Sequence, residues 1–227
     1  MQDSTIAVLI PAWNEAKRVR QVVRPLKDAY PVLVVDDGSR DDTATAAEAE
    51  GAFVLRHEQN MGKGRALLTG FAWILEHEYQ AVITLDADGQ HDPVEIDKFA
   101  DAFRGGAGDL IIGRRRFSSM PFPRSTANRI GSWMLSQILG QPIHDNQSGY
   151  RLYSRTLLEK FDLKHAGFEL EVEAIVQAVS LGVKIGWVDI ETIYGIDKVS
   201  YFHPLRDSYK FLELIWNVAR RKRELGL

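Results

Sequence analysis

The sequence contains no cysteine, which excludes disulfide bonds and thiolate metal sites and leaves carboxylate, amide or imidazole groups as the only metal ligands. Hard cations such as Mg²⁺ or Mn²⁺ suit such oxygen-rich ligands. Positive charge is not in excess either: 28 Lys and Arg against 31 Asp and Glu give a formal charge of −3 and a pI near 6.1. A general nucleic-acid binder needs a basic footprint, so no nucleic-acid partner is expected. Nowhere do eighteen apolar residues run uninterrupted, and no segment is therefore expected to span a bilayer. The start, Met1 to Ser4, is polar and passes straight into the run Ile6 to Ile10, with no basic region ahead of an apolar one. That pattern predicts a cytoplasmic chain. No Gly-x-Gly-x-x-Gly follows the first apolar run, which disfavours a dinucleotide-binding dehydrogenase.

What is present is 227 residues with 45% hydrophobic content, enough for a single α/β domain with a sizeable core. The first half alternates short β-branched runs with helical patterns, the sequence form of a mostly parallel sheet flanked by helices. The expected strands are Ile6 to Ile10, Val32 to Val35, Ala52 to Leu55, Ala81 to Leu85 and Leu110 to Ile112, mostly continuous apolar runs of the kind buried on both faces. Ser39 with Asp42 forms a capping-box pattern before an Ala-rich helix that Gly51 ends. Another helix is expected from Asp92-Pro93 to Gly105-Gly106, with Val94, Ile96, Phe99 and Phe103 as its apolar face. Further on, helices are expected around Ile130 to Leu139 and from Phe168, and neither an internal repeat nor a low-complexity linker is visible.

In an open sheet of this kind ligands bind beyond the carboxyl ends of the strands. Those ends carry Pro11-Ala12-Trp13-Asn14-Glu15, Asp36-Asp37 and Asp86-Ala87-Asp88-Gly89-Gln90, so carboxylates collect along one edge. Such crowding is unfavourable unless a cation joins it. Asp86 and Asp88, at alternate positions, can approach one divalent cation and a diphosphate, with Gln90 adding an amide oxygen. Downstream come Arg114, Arg115, Arg124 and Arg129, whose planar forks suit phosphate.

Five segments together carry a resemblance: Val8 to Glu15, Val34 to Ser39 with Asp41 to Thr43, Gly62-Lys63-Gly64, Asp86 to His91, and Asp145-Asn146-Gln147-Ser148-Gly149-Tyr150-Arg151. In order and spacing they resemble family 2 glycosyltransferases of the GT-A fold, with its Rossmann-like sheet. The similarity is to the dolichol-phosphate mannose synthase and polyprenyl-phosphate glycosyltransferase type. The resemblance implies an inverting, metal-dependent transfer of a hexose from a nucleotide-sugar, GDP- or UDP-linked, to a polyprenyl phosphate. Two alternatives stay open, a family 2 transferase acting on a sugar hydroxyl of a lipid-linked saccharide and a non-catalytic nucleotide-sugar binding module.

Carried over motif by motif, it implies a nucleotide-sugar pocket of Pro11, Trp13, Glu15, Asp36, Lys63, Asp86 and Ala87. It implies Mg²⁺ or Mn²⁺ on Asp88 and Gln90, with Asp86 toward the ribose or the metal's water shell. The acceptor phosphate would be held by Arg114, Arg115, Arg124, Asn128 and Lys198. Here Tyr201 stands where the family has a lysine, and Lys198, His203 and Arg206 are the candidates to supply that contact. For a hydroxyl acceptor the base would be Asp145, Glu171 or Glu173. The implied organisation is a GT-A domain at about 1–203, with a donor half at about 1–113 and an acceptor half at about 114–203. The tail, 204–227, places aromatic and apolar bulk before Arg220-Arg221-Lys222-Arg223, the composition of a helix at the cytoplasmic face of an anionic membrane or of one docked on the core.

Overall fold

The computed structural model describes residues 5–115, 124–167 and 169–193 and the single positions 213 and 220, without the side chains of 124–127. Seven strands form one sheet: β1 (Ile6–Ala12), β2 (Val32–Asp36), β3 (Phe53–Arg56), β4 (Ala81–Thr84), β5 (Leu110–Arg115), β6 (Arg151–Ser154) and β7 (Ile185–Ile190). Their order is β3-β2-β1-β4-β6-β5-β7, and β6 alone runs against the rest. The helices are α1 (Ala16–Val23), α2 (Thr43–Ala49), α3 (Lys63–Glu76), α4 (Ile96–Arg104), α5 (Arg124–Leu139), α6 (Arg155–Leu158) and α7 (Glu169–Ser180).

Side chains alternate across a strand, and in β1 both sets are buried. Ala7 and Leu9 join a core with Phe71, Ile74, Leu135 and Ile175 on one face, while Ile6, Val8 and Ile10 join Val19, Val22, Ile96 and Phe99 on the other. Helices therefore cover both faces, the α/β arrangement of the GT-A fold. The five expected strands are all present. The two unforeseen ones, β6 (Arg-Leu-Tyr-Ser) and β7 (Ile-Gly-Trp-Val-Asp-Ile), lack a continuous apolar run, and sheet context decides their state.

Local signals fared unevenly. Gly51, at φ 91°, follows the end of α2 as expected. The capping box does not form: Ser39 Oγ accepts from Asn14 N instead, and Asp42 makes no side-chain cap. Asp92 does cap, accepting from Val94 N, but the turn it opens, Pro93–Glu95, is a 3₁₀ turn. Three residues per turn rotate Val94 out of the expected apolar face, leaving it 69% exposed, while Ile96 and Phe99 are buried. No helix among the described residues is long and apolar enough to cross a membrane.

Candidate active site

β1 and β4 pair as far as Leu9 and Thr84, and Leu85 N still donates to Leu9 O at 3.1 Å. Beyond that point β1 pairs only with β2, through Pro11↔Val35 and Ala12↔Asp36. Pro11 has no N–H to give, so it sits where the ladder to β4 can end. The two strands part there, and a crevice opens at the switch in strand order, where α/β sheets bind ligands. Trp13 is half-buried and Glu15 buried on one side; Asp86 and Asp88 are half-buried on the other. The Ala87 side chain belongs to the core beneath, so only its backbone lines the crevice.

The donor side is laced together by side chain to backbone hydrogen bonds. Asn14, in the left-handed region at φ 55°, donates its N–H to Ser39 Oγ (2.8 Å) and accepts from Arg40 N (2.9 Å), while Glu15 N donates to Thr43 Oγ1 (2.8 Å). Asp36 is fully buried; one oxygen accepts from Ser39 N (3.0 Å) and the other lies 3.3 Å from Arg56 Nε without hydrogen-bond geometry. Asp37 accepts from Met61 N (2.9 Å) and Gly62 N (2.8 Å), and this sets the start of α3 and its first residue, Lys63.

Lys63 is the node of the site. Its Nζ lies 2.6 Å from Asp86 Oδ1 and 3.1 Å from Glu171 Oε1. Burial opposes the ammonium, but the two carboxylates outweigh it and raise the Lys63 pKa above the ordinary lysine value. Burial likewise pushes Asp86 upward; Lys63, with His91 and Arg115 farther off, more than reverses this and lowers it. The segment before β6 presses on this pair. A Cβ at Gly149 would stand 2.5 Å from Asp86 Oδ2 and 2.8 Å from Lys63 Nζ, so any side chain there would have to displace this ion pair.

On the acceptor side, Arg115 grips Asp145 with Nε and Nη2 at 2.7 and 2.9 Å, both groups buried. Burial raises the Asp145 pKa, yet Arg115 together with the backbone donors of Gln147 and Arg115 leaves it lowered. Fully buried Arg151 donates to the carbonyls of Ser148, Asn146 and Glu171, tying this segment to α7. On α5, Asn128 is 1% exposed and neither amide atom finds a hydrogen-bond partner among the described residues, and Ser132, one turn on, donates to Asn146 Oδ1 at 3.0 Å.

The expected residues thus divide. Glu15, Lys63, Asp86, Asp88, Gln90, Arg115, Asp145 and Glu171 come to one edge. Arg114, the residue before Arg115 and so on the opposite sheet face, is half-buried and paired with Asp189 (2.6 Å) instead. Glu173 turns to the preceding loop, accepting from Lys164 N and His165 N at 3.0 and 3.1 Å. Lys198, His203, Arg206 and the tail except positions 213 and 220 lie outside the described residues, as does the Arg124 side chain.

His91 and Arg151 belong to the site although the sequence does not single them out. Each lies inside a quoted motif, but nothing in a motif says which members face inward. His91 is buried among Asp86, Arg115, Lys63 and Asp145; burial, with the nearby cations, pushes its pKa down to about 4, and its Nδ1 has no hydrogen-bond partner among the described residues.

A hard divalent cation fits the donor side. Burial raises the Glu15 pKa, Arg18 partly offsets this, and the negative charges of Asp88 and Asp41 add to it. The carboxylates of Glu15, Asp41 and Asp88 thus share one electrostatic neighbourhood. No three His, Asp or Glu side chains converge as a complete cage among the described residues. Mg²⁺ needs none, because it keeps waters and takes substrate phosphate oxygens beside one or two carboxylates.

The crevice at the switch point holds an Asp-x-Asp pair with a lysine beside it, and the chain belongs to glycosyl transferase family 2, whose model matches residues 7–162. Among curated relatives, the polyprenol monophosphomannose synthase of Mycolicibacterium smegmatis is 32% identical, covering 94% of this chain and 87% of that protein. The UDP-N-acetylglucosamine–dolichyl-phosphate N-acetylglucosaminyltransferase of Methanococcus voltae is 31% identical, covering 86% and 88%. Among solved structures, glucosyl-3-phosphoglycerate synthase from Mycobacterium tuberculosis, crystallised with Mn²⁺, UDP and phosphoglyceric acid, superposes with a TM-score of 0.76 at 22% identity over 96% of this chain and 79% of that one. The protein is a glycosyltransferase.

Proposed function

We propose that this glycosyltransferase moves a hexose from a GDP- or UDP-linked donor to a polyprenyl phosphate such as dolichyl or undecaprenyl phosphate, with inversion at the anomeric carbon. One observation carries the choice of acceptor: each carboxylate that could serve as a base is already engaged. Asp145 is held ionised by the two-armed grip of Arg115, Glu171 lies against Lys63, and Glu173 anchors the 164–165 backbone. A sugar hydroxyl needs its proton removed as it attacks. A phosphate monoester, with a second pKa of about 6, is largely ionised at neutral pH and needs no base. The names of the two curated relatives support the same acceptor class.

In this reading Trp13, Glu15 and Asp36 line the nucleotide and Lys63 steadies Asp86. Asp88 and Gln90, with Asp86 alongside, would hold Mg²⁺ or Mn²⁺, which when bound neutralises the departing diphosphate without a proton transfer. Because the Arg115 fork is taken by Asp145, the grip on the acceptor phosphate falls to Asn128, to Arg124 one turn before it on α5, and to Lys198. The reaction takes place at the inner face of a membrane, with the basic tail 204–227 as one attachment.

The test is a screen of UDP- and GDP-sugars against undecaprenyl phosphate, dolichyl phosphate and a hydroxyl-bearing lipid-linked saccharide. Transfer to the lipid phosphates alone is expected. Transfer to the saccharide alone would overturn the acceptor assignment.

A further inference from the structure

Seven large hydrophobic side chains are exposed among the described residues, and five of them lie in segments that follow the carboxyl ends of strands. Met61 lies just before α3, and Val94 just after the segment that leaves β4. Ile193 follows β7, its N–H bonded to Gln90 O at 2.9 Å. Ile130 and Trp133 lie on α5, whose Ser132 touches Asn146 beside Asp145. All five therefore border the carboxyl-end edge that holds Lys63 and Asp88. The other two, Phe53 at the start of β3 and Leu181 after α7, are at the opposite end. Single exposed apolar residues are ordinary, but a rim of them around a site marks a contact surface.

Charge follows the same division. None of the chain's 31 acidic residues falls between Asp109 and Asp145, whereas five arginines do. Two of these, Arg114 and Arg115, are paired with Asp189 and Asp145, while Arg129 is exposed on α5 next to Ile130. One face of α5 buries Asn128, Ser132, Leu135 and Leu139; the other presents Arg129, Ile130 at 53% exposure and Trp133 at 63%. A half-wet tryptophan beside an aliphatic chain and a cation, on a helix with no acid, matches the headgroup layer of an anionic bilayer.

We infer that the carboxyl-end rim, led by Ile130 and Trp133, docks on an anionic lipid surface. The two side chains enter the headgroup layer, and the buried face of the same helix stays turned to the site. This rests on the lipid-phosphate reading and adds how a chain with no bilayer-spanning helix among its described residues reaches that acceptor.

The experiment uses the full chain, wild type against Trp133→Ser and the double variant Ile130→Ser/Trp133→Ser, with thermal unfolding as the folding control. Sedimentation with phosphatidylcholine vesicles is compared with vesicles containing phosphatidylglycerol. Transfer is measured to undecaprenyl phosphate in vesicles and to a short-chain, water-soluble polyprenyl phosphate. Binding is expected on the anionic vesicles, weakening with salt, and falling about tenfold or more in the double variant as its apolar contacts are lost. Transfer in vesicles should fall with it while transfer to the soluble acceptor stays. Wild-type vesicle binding by a folded double variant would overturn the docking surface, as would a change confined to oligomeric mass, which would make this face an interface between copies. Failure of the wild type on both acceptors would instead sink the acceptor reading, and the sedimentation result would stand apart from it.

Discussion

The two sides of the crevice solve opposite electrostatic problems. On the donor side burial raises the Glu15 pKa, Arg18 offsets part of this and the negative charges of Asp88 and Asp41 add to it, an arrangement that a divalent cation would relieve. On the acceptor side Arg115 and Asp145 neutralise each other within the fold, and Arg151 is satisfied by three carbonyls. In the proposed reaction the half-buried carboxylates of the first side serve ligands, whereas the buried charges of the second hold the chain together. Substitutions on the two sides should therefore fail differently, the first in turnover and the second in stability.

The largest effect is expected at Asp88. Asp88→Ala removes the main partner of the diphosphate's cation and should lower transfer by about 10³-fold or more, with thermal unfolding nearly unchanged. Chelation of divalent metal should do the same to the wild type, and full turnover in excess EDTA would erase the contrast between the sides. Next, Asp145→Asn takes away the buried carboxylate charge that the two-armed Arg115 fork grips. It should cost about 3–5 kcal/mol in denaturant unfolding, whereas the double change Asp145→Leu/Arg115→Met should cost less than either single one. A stable, inactive Asp145→Asn enzyme would make Asp145 a reacting group instead.

The smallest effect belongs to His91, which sits between the two sides. Its folded pKa, about 4, lies below the unfolded value, so its contribution is complete above pH 6.5 and is lost as pH falls toward 4. The loss should approach about 3 kcal/mol. Asp86 and Asp145, both lowered, lose their contributions only below the ordinary carboxylate value of 3.8 and stay out of this window. The raised pKa of Glu15 works in the opposite sense, so the comparison is with His91→Asn, whose unfolding midpoint should vary less between pH 7 and 4.5. Parallel pH profiles would remove His91 from the account.

The donor side was the more legible in sequence, and for a physical reason. Its strands are continuous apolar runs, and each motif lies directly after one, so strand ends alone bring Glu15, Asp36, Asp86 and Asp88 to one edge. The acceptor side is assembled by distant partners. Arg115 and Asp145 are 30 positions apart and Lys63 and Glu171 are 108 apart, and no local pattern says that these charges meet. Arg114 and Arg115 look alike in sequence. The alternation of β5 sends one to Asp189 and the other to Asp145.

The reversed direction of β6 has one more consequence. Because β5 arrives at the rim and β6 departs from it, paired at Ile112↔Arg151, the chain between them leaves and rejoins the sheet at neighbouring points. It forms a cassette, spliced in at two adjacent junctions, that carries α5 and the Asn146 to Gly149 segment. A chimaera exchanging this cassette with that of a relative would swap the surface offered to the acceptor and leave every β1, β2 and β3 pairing in register.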